Sequence, residues 1–178
     1  AVWNGSSWSS WTIIDSNAPE SGRYDGGLAA TLDVDTGDVY LVYAADHNNN
    51  TTADHDIRTA VYDGVGWTNT ADILTNEPGR ALINVSAGLD QNTGDIYVSY
   101  SIEDTIGTPT SANIYIASST DAMSSWSAEG GPLTTTSDEY YGPTMTLNNY
   151  ERMYATWWGP ATNDLFGETV ANIGPDTL

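Results

Sequence analysis

One stride governs this chain. Leu32-Asp33-Val34-Asp35-Thr36-Gly37-Asp38-Val39-Tyr40 returns as Leu89-Asp90-Gln91-Asn92-Thr93-Gly94-Asp95-Ile96-Tyr97, 57 residues on, and a second step of 57 reaches Tyr154 behind a turn one residue shorter. Tyr43, Tyr100 and Trp157 keep the same interval, while Trp8, Trp67 and Trp126 form a second ladder with a step of 59. Two ladders with nearly equal steps mark a structural repeat, whose unit must be described before any single residue is interpreted.

Within a unit the pattern is β. Leu28 to Val34 and Asp38 to Ala44 alternate apolar or small residues with polar ones around a Thr-Gly turn, Ile57 to Tyr62 forms a third run, and Trp67 to Leu74 a fourth. Four short antiparallel strands per unit, joined by hairpins and repeated at a fixed step, describe one blade of a β-propeller. The expected fold is therefore all-β, with about three such repeats in an incomplete ring. The boundaries read as a partial unit at 1–18, units at 22–75 and 79–136, and a partial or final unit at 140–178, so the chain starts and stops in mid-blade. Propellers use about four to eight blades. Closure then calls for further chain or for joined copies, in which an N-terminal strand completes a partner's last blade.

Composition narrows the function. The 178 residues carry 24 Asp and Glu against four Arg and no Lys, a formal net charge of −20. Nucleic-acid binding depends on Lys and Arg displacing counterions from phosphate, so it is not expected. No run approaches the ~20 apolar residues of a membrane span, and no signal peptide opens the sequence. The sequence reads as a mature chain or an excised piece. Cysteine is absent, so neither disulfides nor thiolate metal sites are available. A surface this acidic suits high salt, an acidic setting or divalent cations, and calcium is the only cofactor the sequence suggests. Asn4, Asn49, Asn50 and Asn84 stand in glycosylation triplets, which fits an extracellular or cell-surface location.

Ser119-Thr120-Asp121-Ala122-Met123-Ser124-Ser125-Trp126 resembles the Asp-box of sialidase-like propellers, Ser-x-Asp-x-Gly-x-x-Trp, with Met123 where that family prefers Gly. The turns before Trp67 and Trp8 are shorter and keep only an Asp or Asn and a Gly. The resemblance implies a sialidase-like propeller in which Asp121 ties down the turn and Trp126 packs between sheets. In that family the box lies away from the active face, so the resemblance implies a fold and no activity.

Several residues are candidates for chemistry. Asp33, Asp35 and Asp38 offer oxygens at alternate positions, as calcium requires, although the same composition makes an ordinary Asx-Gly hairpin turn. Asp46, Asp54 and Asp56, with His47 and His55, form a second metal candidate, set against a solvated polar loop. Arg23 and Arg80 recur in Glu-x-Gly-Arg; sialidases clamp a carboxylate with three arginines, but Asp138 stands where the third is expected, which favours ion pairs. Tyr140, Tyr141 and Trp158 offer aromatic faces to a sugar ring. For catalysis, Glu139 with Tyr140 or Tyr141, and Asp54 or Asp104 as acid, can be imagined, yet no spacing selects them. The reading is a non-enzymatic extracellular module that binds glycans or surface proteins or assembles through blade edges. The alternative is a fragment of a sialidase-like glycoside hydrolase.

Overall fold

A computed structural model describes residues 5–10, 12–15, 27–46, 54–78, 81–103, 112–128, 132–134, 141–147, 152–159 and 164–172. These residues form three antiparallel sheets in chain order. The first contains β1 (Leu28–Leu32), β2 (Val39–Asp46), β3 (Asp54–Tyr62) and β4 (Trp67–Asn69), with β5 (Leu74–Pro78) also on β3. The second runs β6 (Ala81–Leu89), β7 (Ile96–Glu103), β8 (Ala112–Ser119) and β9 (Ser127–Ala128). The third runs β10 (Tyr141–Leu147), β11 (Arg152–Gly159) and β12 (Asp164–Asn172).

Strand register explains the aromatic ladders. Tyr40 pairs with Thr31, Tyr97 with Gly88 and Tyr154 with Thr146, so all three stand on one rung of successive sheets. Alternate residues of a strand point to opposite faces, and the two ladders divide accordingly. Tyr40, Val42 and Ala44 face forward into a core shared with Val98 and Tyr100 of the second sheet. Tyr97 faces forward again, into a core with Met145 and Trp157 of the third. Tyr43, Tyr100 and Trp157 are the backward-facing set, and Tyr43 lies with Ile14 and Trp67 on the far face of the first sheet. Both faces of the second sheet are thus apolar because each meets a neighbour.

The two seams differ in chemistry. Val42 and Ala44 fill the first, whereas the same rungs of the second carry Ser99 and Ser101, both fully buried. Among the described residues, Asp90 Oδ2, Ser99 Oγ, Ser101 Oγ and Trp157 Nε1 are buried polar atoms without a hydrogen-bond partner. Other groups stitch the seams. The Met145 N–H donates to Ser86 Oγ at 3.0 Å. Gln91 clamps the two hairpin turns together, accepting from Val34 N at 3.0 Å and donating to the Leu32 carbonyl at 2.7 Å.

Those hairpin turns are built alike. Asp33 N donates to the Asp38 carbonyl and Asp90 N to the Asp95 carbonyl, each at 2.9 Å, while Gly37 and Gly94 take φ of +83° and +79°. The Asp33 carboxylate accepts from Asp35 N at 2.8 Å and Thr36 N at 3.2 Å. Asp90 accepts likewise from Asn92 N.

The turn from Ser119 to Trp126 is held by Asp121, which accepts from Ser119 Oγ at 2.8 Å, Ser125 N at 2.9 Å and Ser125 Oγ at 2.6 Å. Ala122 and Met123 both adopt left-handed backbone, at φ +54° and +65°. For a non-glycine residue this conformation is costly. Met123 offsets the strain by burying its side chain completely in the first seam. Trp126 Nε1 then donates to the Ala71 carbonyl of the first sheet at 2.9 Å.

The fourth run is interrupted, where the sequence suggests one continuous strand to Leu74. Thr59 Oγ1 bonds Thr70 Oγ1 and the Ala71 carbonyl, and Ala71 N turns to the Met123 carbonyl of the second sheet. The chain is drawn out of register after Asn69 and returns as β5 along the first half of β3.

Two measurements test this account. A Cβ on Gly27 would lie 2.4 Å from Val85 N, against backbone of the next sheet, whereas one on Gly66 would meet nothing within 4 Å. In urea titrations Gly27→Ala is expected to cost about 1–3 kcal/mol as an overpacked seam, and Gly66→Ala to be neutral or slightly stabilising. The second concerns acid. The Ser125 hydroxyl and amide, with Ser119, hold Asp121 below its ordinary 3.8; Asp33 is lowered by the amides of Asp35 and Thr36, and Asp63 by those of Gly66 and Val65. A lowered folded value means stability present above the unfolded pKa and lost as pH falls through the folded one. Asp121→Asn should therefore lower Tm at neutral pH, with the difference from wild type closing as the pH falls below the ordinary 3.8 and through the lowered folded value.

Candidate site on the rim

The hairpin turns define one end of the sheets, and the β2–β3, β7–β8 and β11–β12 connections the other. Of the candidate metal ligands, Asp33, Asp35 and Asp38 lie at the hairpin end, and Asp46, Asp54 and Asp56 at the opposite rim of the same sheet. The structure does not bring the two sets together. Asp46 and His55 are register partners, with Ala45 and Asp56 beside them. Among the described residues, no three His, Cys, Asp or Glu side chains form a group able to hold a metal ion.

Asp56 belongs to an ion-pair cluster instead. On β3 it stands two residues from Arg58, hence on the same face. Arg58 donates from Nε (3.1 Å) and Nη2 (2.8 Å) to Asp56 Oδ2, and from Nη1 to Asp15 Oδ2 at 2.7 Å. The Tyr43 hydroxyl donates to the same Asp15 oxygen at 3.2 Å. Little of this is exposed: the side chains of Arg58, Asp15 and Asp56 retain 17%, 12% and 2% of their accessible surface. Burial opposes the charge on Arg58, yet hydrogen bonds and attraction from Asp15 and Asp56 outweigh it and raise its pKa. Burial, then the Asp15 charge, pushes the Tyr43 phenol well up. The cluster ties residues 12–15 to the first sheet.

Arg58 was not singled out by the repeat, because the same rung carries Tyr115 in the second sheet and Phe166 in the third. There it stacks on the ladder aromatics, Tyr115 on Tyr100 with ring centroids 5.5 Å apart and Phe166 on Trp157 at 6.5 Å. The Asp-x-Arg spacing on a strand was the available signal.

Of the aromatic candidates, Tyr141 on β10 and Trp158 on β11 are register partners, and Leu165 on β12 follows Trp158. Sheet register brings these three together at the rim of the third sheet. The rung of Trp158 is that of Ala44 and Ser101, both buried between sheets. Arg23, Arg80 and Tyr140 lie outside the described residues.

No protein-family model matches the sequence, and no curated protein does. Solved structures do. A Hadza microbial sialidase is 14% identical with a TM-score of 0.58, over 84% of this chain and 32% of that one. The α-L-arabinofuranosidase of Fusarium graminearum solved with arabinobiose is 14% identical with a TM-score of 0.56, over 87% of this chain and 47% of that one. An exo-β-1,3-galactanase from Phanerochaete chrysosporium solved with galactose is 9% identical with a TM-score of 0.57, over 83% and 35%. The chain spans about a third to a half of these structures. At such identities the likeness establishes the fold, which is all-β, antiparallel and propeller-like.

Removing the guanidinium should leave two carboxylates without their shared cation. Arg58→Ala is expected to cost about 3–5 kcal/mol by chemical denaturation at neutral pH. A loss under about 1 kcal/mol would place the cluster among ordinary surface pairs.

Proposed function

We propose that this chain is a segment of an extracellular or cell-surface propeller that binds carbohydrate without hydrolysing it. One observation carries the reading: the fold extends over more than four fifths of the chain in likeness to a sialidase, an arabinofuranosidase and a galactanase. Propellers gather ligands where strand connections converge at one rim; there Tyr141 and Trp158 are register partners, and the sequence adds Arg23, Tyr140 and Arg80 as further candidates. An aromatic face matched to the apolar face of a pyranose, with arginine forks for hydroxyl or carboxylate groups, is the expected chemistry.

Five of the described carboxylates already serve structural partners. A glycosidase needs one carboxyl held protonated, with a raised pKa, beside a second one. Asp33, Asp63 and Asp121 are instead lowered, by hydrogen bonds within their own turns. Asp15 and Asp56 are engaged by Arg58.

A glycan array run beside a panel of fluorogenic glycosides tests the proposal. Retention of at least one glycan is expected, weakened about 10-fold, or ~1.4 kcal/mol, by Tyr141→Ala, with no turnover. Hydrolysis abolished by Asp54→Asn or Glu139→Gln would instead establish the glycoside hydrolase reading.

A further inference from the structure

Four buried polar atoms have no hydrogen-bond partner among the described residues, and three of them belong to one seam. Ser99 and Ser101 stand two residues apart on β7, hence on the same face. Across the ladders they pair with Ser86 and Asn84 of β6 and with Ile116 and Ile114 of β8. Those isoleucines share a buried cluster with Trp157 of the third sheet, whose Nε1 is the third atom. The two hydroxyls therefore line one wall of the second seam and the indole belongs to the other. Both serines are 0% exposed and Trp157 is 6% exposed. The fourth atom, Asp90 Oδ2, belongs to the hairpin turn beyond the Leu89–Ile96 rung.

The chain satisfies the polar groups around these three atoms. Ser86 Oγ accepts from Met145 N at 3.0 Å, bridging the same two sheets. Thr134 Oγ1 accepts from Ile114 N at 3.1 Å and donates to Asn113 Oδ1 at 3.0 Å. The amides and carbonyls of β7 are committed to the ladders on either side. In the first seam the need does not arise, because Val42 and Ala44 hold the rungs of the two serines.

Sealing a hydroxyl or an indole N–H from solvent without a hydrogen bond is costly. The indole can only donate, while each hydroxyl can donate or accept. Water offers two hydrogens and two lone pairs, and a buried water makes about three hydrogen bonds. A larger or charged ligand finds no further polar group in this cluster, which Ile114, Ile116, Met145 and Ala155 otherwise fill. We propose that the second seam is a binding site for internal water, held by Ser99, Ser101 and Trp157 Nε1. The inference rests on sheet packing and is independent of carbohydrate binding.

The test is a crystal structure of the 178-residue chain, at a resolution of about 1.5 Å, where ordered water is distinct. Density for at least one water is expected within about 2.7–3.2 Å of Trp157 Nε1 and of one or both hydroxyls. A seam without water, or one in which the three groups pair with each other or with main chain, would overturn the proposal. Ser99→Val combined with Ser101→Ala writes the residues of the first seam into the second. That double variant should keep its far-UV spectrum and lose the water; density that stays on Trp157 would refute the role given to the serines. In solution, oxygen-17 relaxation dispersion counts long-lived internal waters and is blind to hydroxyl protons. The wild type should exceed the double variant by at least one water, and equal counts would sink the assignment. If the double variant does not fold, the wild-type density decides alone.

Discussion

Stacking of sheets face to face is the interaction on which everything else depends. Each sheet here is only three to five strands wide, too little to enclose a core alone, so its apolar residues on both faces are useful only against a neighbour. The periodic tyrosines and tryptophans are the visible result. A rung facing a seam of fixed width must be filled by a side chain of similar size, and Tyr43, Tyr100 and Trp157 meet that condition in three successive sheets.

The same constraint determines what could be read from the sequence. Rungs, hairpin turns and the Trp126 turn were legible because each repeats and each follows local rules for strands or Asx turns. The broken fourth strand was not, since it depends on Thr59 and on the Met123 carbonyl of another sheet, which no local pattern announces. Arg58 escaped for the opposite reason: it is the member of its rung that departs from the aromatics at Tyr115 and Phe166, so a search for recurrence passes over it. At the two ends of the first sheet, the aspartates proposed as metal ligands serve unlike purposes, Asp33 closing its own turn and Asp56 pairing with a cation.

A net charge of −20 looks at first like an unsolved problem of self-repulsion. Part of the acidity is local engineering of the backbone. Asp33, Asp63, Asp90 and Asp121 each accept amide hydrogens within a few residues, converting a charge into a fixed turn geometry. A chain without lysine thus still positions its hairpins, and the one described cation cluster, at Arg58, is placed where residues 12–15 must be anchored.

Serine in place of valine and alanine sets the second seam apart from the first. Val42 and Ala44 give the first joint more apolar surface than Ser99 and Ser101 give the second, and buried apolar area is the principal source of cohesion here. At those two rungs the second seam draws its cohesion from the apolar side chains around the serines, Ile114, Met145 and Trp157 among them.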